Sequence, residues 1–444
     1  MPEAYYLISD LHIGGDEQLE QVDFLGELLG FLRDLEESGE DAELIINGDL
    51  FGLWEFTRVD GVAKFDALLD RYPELFEQLR ATGDEIPITV IPGNHDYELA
   101  AYPEYVERLA EYNVTLEQEV SITRPVGDYE VYIEHGMQRD PNNRIPDFGN
   151  PYANPPGYFV NRQITSRAGR LSRRGRYNWL KDIQAVTPMT LIPDWIVSNY
   201  FYREMSPWLR YASLPFLLLF NLGVWYVLVF LLDVTGVWST PMNVIQSVLA
   251  FFGPAGLLVD LVLTANLVLV LLLTLVSIPL YILLRDVQKT LRRFGLVTTE
   301  DEPETDVYVD GAREIFTDRP SVAVFVYGHT HRVSATEVDD RLVVNTGTWL
   351  KRLQRTEVLL GVLPPVFYSS YRLNYFRVSG AGDGSVVVEY ETIEKPEPQD
   401  ETTLERLVTR TQTPPERVPE RIVVDPDDEQ ESGQADTSEP ADES

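Results

Sequence analysis

VYGHTHR, Val326 to Arg332, decides how the rest of this 444-residue chain is read. It sets two of only five histidines one residue apart, directly behind the apolar run SVAVFV. A short β-branched run that stops at a glycine and polar residues reads as a strand followed by a loop. The other three histidines sit in the same setting. AYYLISD leads to His12, IPITVIPGN to His95, and YEVYIE to His135, while AELIING leads to Asp49. Between these runs, Glu17–Glu37 spaces its apolar residues as a helix does. The alternation predicts an α/β domain over residues 1–139 that resumes at 318–395.

Loops after strand C-termini are where open α/β sheets build sites. Five histidines there, with Asp10, Asp49, Asn94 and Asp96 beside them, form too dense a set for incidental hydrogen bonding. The chain has no cysteine, so thiolate sites and disulfides are excluded. Imidazole, carboxylate and amide oxygen suit borderline divalent ions such as Mn²⁺, Fe²⁺ or Zn²⁺. In Asp10-x-His12 an extended backbone sends both side chains to one side. His329-x-His331 does the same, or delivers one ligand to each of two ions if the chain turns there. Two ions about 4 Å apart clamp a phosphoryl group, lower the pKa of a water and stabilise charge on the oxygens. His95 is the candidate proton donor to the leaving oxygen, and Asp96, next in sequence, the candidate that fixes its tautomer.

The series DLH, GDL, GNHD, EHG and GHTH, in that order, resembles the calcineurin-like metallophosphoesterase superfamily. The resemblance implies a four-layer αββα sandwich. It implies that Asp10, His12, Asp49 and His331 hold one metal, and Asp49, Asn94, His135 and His329 a second, with Mn²⁺ the first expectation. It makes His95 the catalytic histidine, assisted by Asp96. GDLFGLW (Gly48–Trp54) and NTGTW (Asn345–Trp349) resemble the UDP-diacylglucosamine pyrophosphatase branch, which acts on a nucleotide diphosphate lipid at a membrane surface. Trp349 and Arg139 are the candidate substrate contacts.

Lys plus Arg is 36 and Asp plus Glu is 71, a formal net charge of −35. That field repels phosphate polymers, so no nucleic-acid partner is expected. Such acidity fits a halophilic protein whose carboxylates keep its surface hydrated. The local exception is Arg162–Lys181, with six Arg, one Lys and no acid. It reads as a juxtamembrane basic patch on lipid headgroups or a platform for an anionic substrate.

The reason for a membrane reading follows it. Tyr211–Leu284 carries two charges, Asp233 and Asp260. Tyr211–Leu232 and Leu261–Leu284 carry none, and roughly 20 such residues cross a hydrocarbon core. Val244–Val259, shorter and broken by Gly-Pro, reads as a re-entrant or interfacial piece or as an extension of the second span. Candidate ligands lie on both sides of this block, so both flanks belong on one side of the membrane and the crossings are even in number. Two crossings fit the available length, giving an inserted transmembrane helical hairpin. Arg203, Arg210, Arg285, Lys289, Arg292 and Arg293 flank it, which places the catalytic domain in the cytoplasm. The N-terminus shows no cleavable signal pattern. The expected organisation is a discontinuous catalytic domain (1–139 and 318–395), a basic insert (140–208), the hairpin (209–286) and a connector (287–317). An acidic disordered tail (396–444) with one short helix near Glu401–Arg410 would close the chain.

The expected function is a membrane-anchored, dimetal phosphoesterase that hydrolyses a phosphate ester or pyrophosphate on a small molecule or lipid. The same centre would serve a nuclease or cyclic-nucleotide phosphodiesterase, and a non-catalytic membrane scaffold, as in retromer, is the third reading.

Overall fold

The computed structural model describes residues 2–15, 22–165, 182–186, 191–218, 220–293, 306–358, 363–396, 398, 401–409 and 417–425. Most of the basic stretch at 162–181 and part of the acidic tail fall outside them.

Two sheets form the centre. The larger has the order β14-β13-β12-β1-β2-β3-β4. Its strands are β1 (Ala4–Ile8), β2 (Ala42–Asn47), β3 (Ile88–Ile91), β4 (Val114–Leu116), β12 (Leu373–Gly380), β13 (Val386–Ile393) and β14 (Arg421–Val424). β1 to β4 are parallel, and β12 to β14 join antiparallel. The smaller sheet has the order β5-β6-β7-β9-β8. It is built from β5 (Ser121–Val126), β6 (Tyr129–Glu134), β7 (Val322–Tyr327), β8 (Ser334–Val338) and β9 (Arg341–Asn345), with β6, β7 and β9 parallel.

Alternation along the strands assigns the layers. Tyr6, Ile8, Leu44 and Ile46 face the helices Leu25–Ser38, Ala63–Arg71 and Pro73–Glu85. Tyr5, Leu7 and Ile45 face the other way, onto Val131, Ile133, Val324, Val326 and Val344 of the smaller sheet. The outer face of that sheet puts Tyr132, Phe325 and Tyr327 against Tyr308, Ala312 and Phe316 of helix Val307–Asp318. Helix, sheet, sheet and helix are therefore stacked as the expected αββα sandwich. Parallel strands with both faces covered need continuous apolar sequence, which is why AYYLI and VAVFVY do not alternate with polar residues.

Several expected boundaries shift. Helix Val307–Asp318 was assigned to a connector, yet it is the fourth layer. Its N-cap Asp306 accepts from the N–H groups of Tyr308 and Val309. In the tail, Thr403–Val408 is the short helix expected near Glu401–Arg410, capped by the Thr402–Glu405 box, but β14 also forms, pairing with β13 as an edge strand. A separate ribbon, β10 (Arg352–Thr356) with β11 (Val366–Ser370), packs on Ile183, Val186, Trp195, Phe201 and Tyr202. This unit leads directly into the apolar helices.

Among the described residues one helix is long and apolar enough to cross a membrane, Pro254–Leu283, 30 residues with mean hydropathy 2.7. At about 1.5 Å per residue it exceeds a hydrocarbon core of about 30 Å. The other expected span is described in two pieces, Pro207–Leu218 and Phe220–Val234, either side of Leu219, which lies outside the described residues. Pro215 interrupts the first piece. Neither piece reaches spanning length, so the structure does not support the two-helix crossing expected from hydropathy. Helix Thr240–Phe251 occupies the connection.

Candidate metal centre

The seven candidate ligands converge at the carboxyl ends of β1, β2, β3, β6 and β7. The route differs from the one expected for Asp10 and His12. Neither is extended: φ is 53° at Asp10 and 46° at His12. Asp49 (53°), His329 (66°) and His331 (59°) share this left-handed conformation. It is costly for non-glycine residues and collects where a site over-determines the backbone. The other non-glycine examples among the described residues are turn residues: Asn113, Asp339 and Asp340. Close approach also fixes two glycines. A Cβ on Gly48 would lie 2.3 Å from His135 Nδ1, and one on Gly328 would lie 2.5 Å from Asp10 Oδ2.

His331 Nε2 lies 3.2 Å from Asp10 Oδ1 and 3.1 Å from His12 Nε2. His12 Nε2 is 3.6 Å from Asp49 Oδ2. On the other side, His135 Nε2 is 3.3 Å from Asp49 Oδ2 and 3.2 Å from Asn94 Oδ1. His329 Nδ1 is 2.8 Å from the same Asn94 oxygen. Asp49 thus touches both groups, and the turn at Thr330 sends His329 to one and His331 to the other. The donor set fits cations. Two imidazole nitrogens face each other, and Asp10 Oδ1 is fully buried without a hydrogen-bond partner. Such an oxygen amid ring nitrogens is stable only beside positive charge.

The electrostatics agree. Burial pushes His135 down, but the Asp49 and Asp10 carboxylates outweigh it and raise its pKa to about 10. His95 is raised to about 9: burial opposes the shift, while Glu55 and Asp49 prevail. Burial would lift Asp10, yet the histidines around it hold it well below the carboxylate range. His12 and His329 are lowered, chiefly by burial.

His95 sits beside this cluster, its ring centroid 4.5 Å from that of His12. Asp96 does not pair with it. Its carboxylate turns back to accept from the N–H groups of Gly93 (2.6 Å), Phe51 (3.2 Å) and Asp49 (3.3 Å). Burial first, then Asp49, raises it to about 7. The residue that holds His95 is Glu55, whose Oε1 lies 2.7 Å from His95 Nδ1. Asp140 holds His329 in the same way, Oδ2 to Nε2 at 3.1 Å. That contact holds Asp140 down at about 2, although burial alone would raise it.

Two candidate substrate contacts lie elsewhere. Arg139 pairs with Glu134 at 2.5 Å and sits over the Phe325 ring, on the outer face of the smaller sheet. Trp349 is fully buried, donates Nε1–H to the Asn374 carbonyl and packs between Phe24 and Phe31. NTGTW instead supports the site's loops. Thr348 Oγ1 donates to the Asp10 carbonyl at 2.7 Å, Thr346 bonds Ser9 at 2.6 Å, and Asn345 Nδ2 donates to the Gly328 carbonyl at 3.1 Å.

The sequence is similar to the family described as Calcineurin-like phosphoesterase, whose profile matches residues 5–228. No curated protein matches the chain. Among solved structures it is similar to wild-type Vps29 complexed with Zn²⁺ from Entamoeba histolytica, at 9% identity and a TM-score of 0.27. That overlap covers 88% of this chain and 92% of that one. A single mutant of the Entamoeba histolytica protein gives 10% identity and a TM-score of 0.25 over the same shares. Overlaps this loose carry no argument. The profile spans half of the sequence and meets the observed Asp10–His135 constellation: the chain belongs to the calcineurin-like phosphoesterase family.

Proposed function

We propose that the chain is a metal-dependent phosphoesterase that hydrolyses a phosphate ester or pyrophosphate beside a membrane. The observation that carries this is the convergence of Asp10, His12, Asp49, Asn94, His135, His329 and His331 around a bridging carboxylate with His95 at the edge. Two divalent ions held there would polarise the phosphoryl group and supply a water nucleophile at neutral pH. Mn²⁺ is the first candidate, since the donors are all nitrogen and oxygen. With its Nδ1 proton committed to Glu55, His95 presents Nε2 to the leaving oxygen. As the P–O bond breaks, that nitrogen hands over its proton.

Support for a membrane-proximal, lipid-linked substrate comes from the placement of the insert. It leaves the sandwich after His135 and returns at Asp306, where Tyr308 stacks on Tyr327 at 4.5 Å. Both points lie at the site-bearing edge, as do the ends of the β10–β11 ribbon. The apolar helices therefore spring from the edge that holds the metal ligands. Trp208 and Tyr211, 79% and 59% exposed, stand at the start of the first helix as interfacial aromatics do.

The test is His95→Ala, assayed on an aryl phosphodiester with Mn²⁺. Turnover should be lost while bound metal, counted by mass spectrometry, stays at the wild-type level. Surviving turnover would remove His95 from its role. A panel of lipid pyrophosphates and nucleotide diphosphate lipids then separates the lipid reading from a soluble ester.

A further inference from the structure

The site is not completed by the sandwich alone. Glu55 Oε1 accepts two hydrogen bonds, from His95 Nδ1 at 2.7 Å and from Asn161 Nδ2 at 2.9 Å. Asn161 belongs to the insert, at the start of the π-helical turn Asn161–Thr165 that follows helix Pro156–Val160. The same segment grips the loop that carries Glu55. Tyr158 stands edge-on to Trp54 at 5.5 Å, and Trp54 lies under the His95 ring at 4.6 Å. Arg162 bonds Asp60 at 3.0 Å and the Tyr158 hydroxyl at 2.9 Å. Glu55 is buried, at 4% exposure. A buried carboxylate with one neutral donor and one imidazole has few other ways to fix its plane.

We infer that Asn161 is a positioning residue: by holding Glu55 Oε1 it fixes the orientation of the His95 ring, so the insert completes the catalytic apparatus. The inference rests on the phosphoesterase reading and adds a dependence of turnover on the insert. Removing the amide leaves Glu55 free to rotate about its terminal torsion and lets the His95 ring wander. Misplacement of this kind costs rate rather than ground-state binding.

Asn161→Ala in the full-length, metal-loaded protein should lower kcat for an aryl phosphodiester roughly 10-fold to 100-fold, with KM, bound metal and melting temperature close to wild type. In a Glu55→Ala background the same substitution should have no further effect, because its target is gone. Unchanged kcat, a rise in KM alone, loss of metal, or multiplicative losses in the double variant would each overturn the assignment. His95→Ala is assayed in parallel. If metal-loaded wild type shows no turnover, the phosphoesterase reading falls; if His95→Ala remains active, the role of His95 falls and the positioning role with it; if His95→Ala is dead and Asn161→Ala is not impaired, only the positioning role falls.

Discussion

At Asp49 and His135 the chain keeps a carboxylate and an imidazole 3.3 Å apart in a fully buried place. Without metal, protons do the work of cations. His135 is raised above its unfolded value, so its stabilising contribution is complete below about pH 6.5 and is lost as pH rises through about 10. His95, raised to about 9, behaves likewise. Divalent ions must displace the His135 proton, since only a deprotonated ring ligates, whereas His95, placed beside the cluster as proton donor, keeps its own. Chelator-treated protein should therefore melt at lower temperature at pH 10 than at pH 7, and metal-loaded protein should lose less over that range. Metal titration followed by calorimetry in buffers of different ionisation enthalpy should show proton release near neutral pH; its absence would mean that the histidines do not hold metal. At this scale the residues that gather into the candidate centre are legible, because each histidine follows an apolar strand. Their partners are not. Asp96 was paired with His95 because it is adjacent, yet neighbours along a turn point apart. Glu55 and Asp140 sit in loops and Asn161 in a short helical turn of the insert, none marked by a sequence period, and only space brings them to His95 and His329.

At the scale of elements, the strands could be read because burial on both faces demands apolar runs, and the helix at Leu25–Ser38 because its apolar residues recur at helical spacing. What escaped were elements whose partner is distant in sequence. Helix Val307–Asp318 borders an acidic stretch, and β14 is four residues of RIVV in a charged, proline-rich context. Neither shows its role until the sheet it covers exists. β14 pairs with Val386–Glu389 of β13, and Tyr390 N–H donates to the Glu420 carbonyl at 2.9 Å. Val424 is buried in the core between the sheets. A chain ending at residue 409 should therefore expose the β13 edge. Its melting temperature should fall by several degrees, as a loss of about 1–3 kcal/mol does in a domain of this size, and open-edge association should appear in light scattering. Turnover per folded molecule should persist, because β12 and β13 still stand between the lost strand and the ligand-bearing β1. An unchanged melting temperature would show that β14 contributes no stability.

The whole molecule imposes a parity on its insert. β6 precedes the apolar block and β7 follows it, yet they pair in one parallel ladder, and His331 Nε2 reaches Asp10 Oδ1 at 3.2 Å. A single crossing by Pro254–Leu283 would place these halves in different compartments. The long helix therefore either stays on one side or is matched by a second passage, and helix Phe220–Val234 packs on it through Tyr226, Val227, Leu263 and Leu267. Leu257, Leu261, Leu272, Leu275 and Val276 are all more than half exposed, an apolar surface of the kind that marks contact with lipid or another protein. If lipid covers that surface by a crossing, the shared ladder requires a second crossing to match it. The absence of cysteine makes the question direct, since the unsubstituted protein gives a blank. Ser239→Cys, exposed between the helices, should react with a membrane-impermeant maleimide in intact cells. Ser38→Cys, exposed at the end of helix Leu25–Ser38, should react only after permeabilisation. The basic flanks, Arg203 and Arg210 on one side and Arg285 and Lys289 on the other, are the sequence feature that predicts this labelling pattern. Labelling of both positions only after permeabilisation would leave the apolar helices on one face of the bilayer and rule out a paired crossing, while the candidate metal centre would stand.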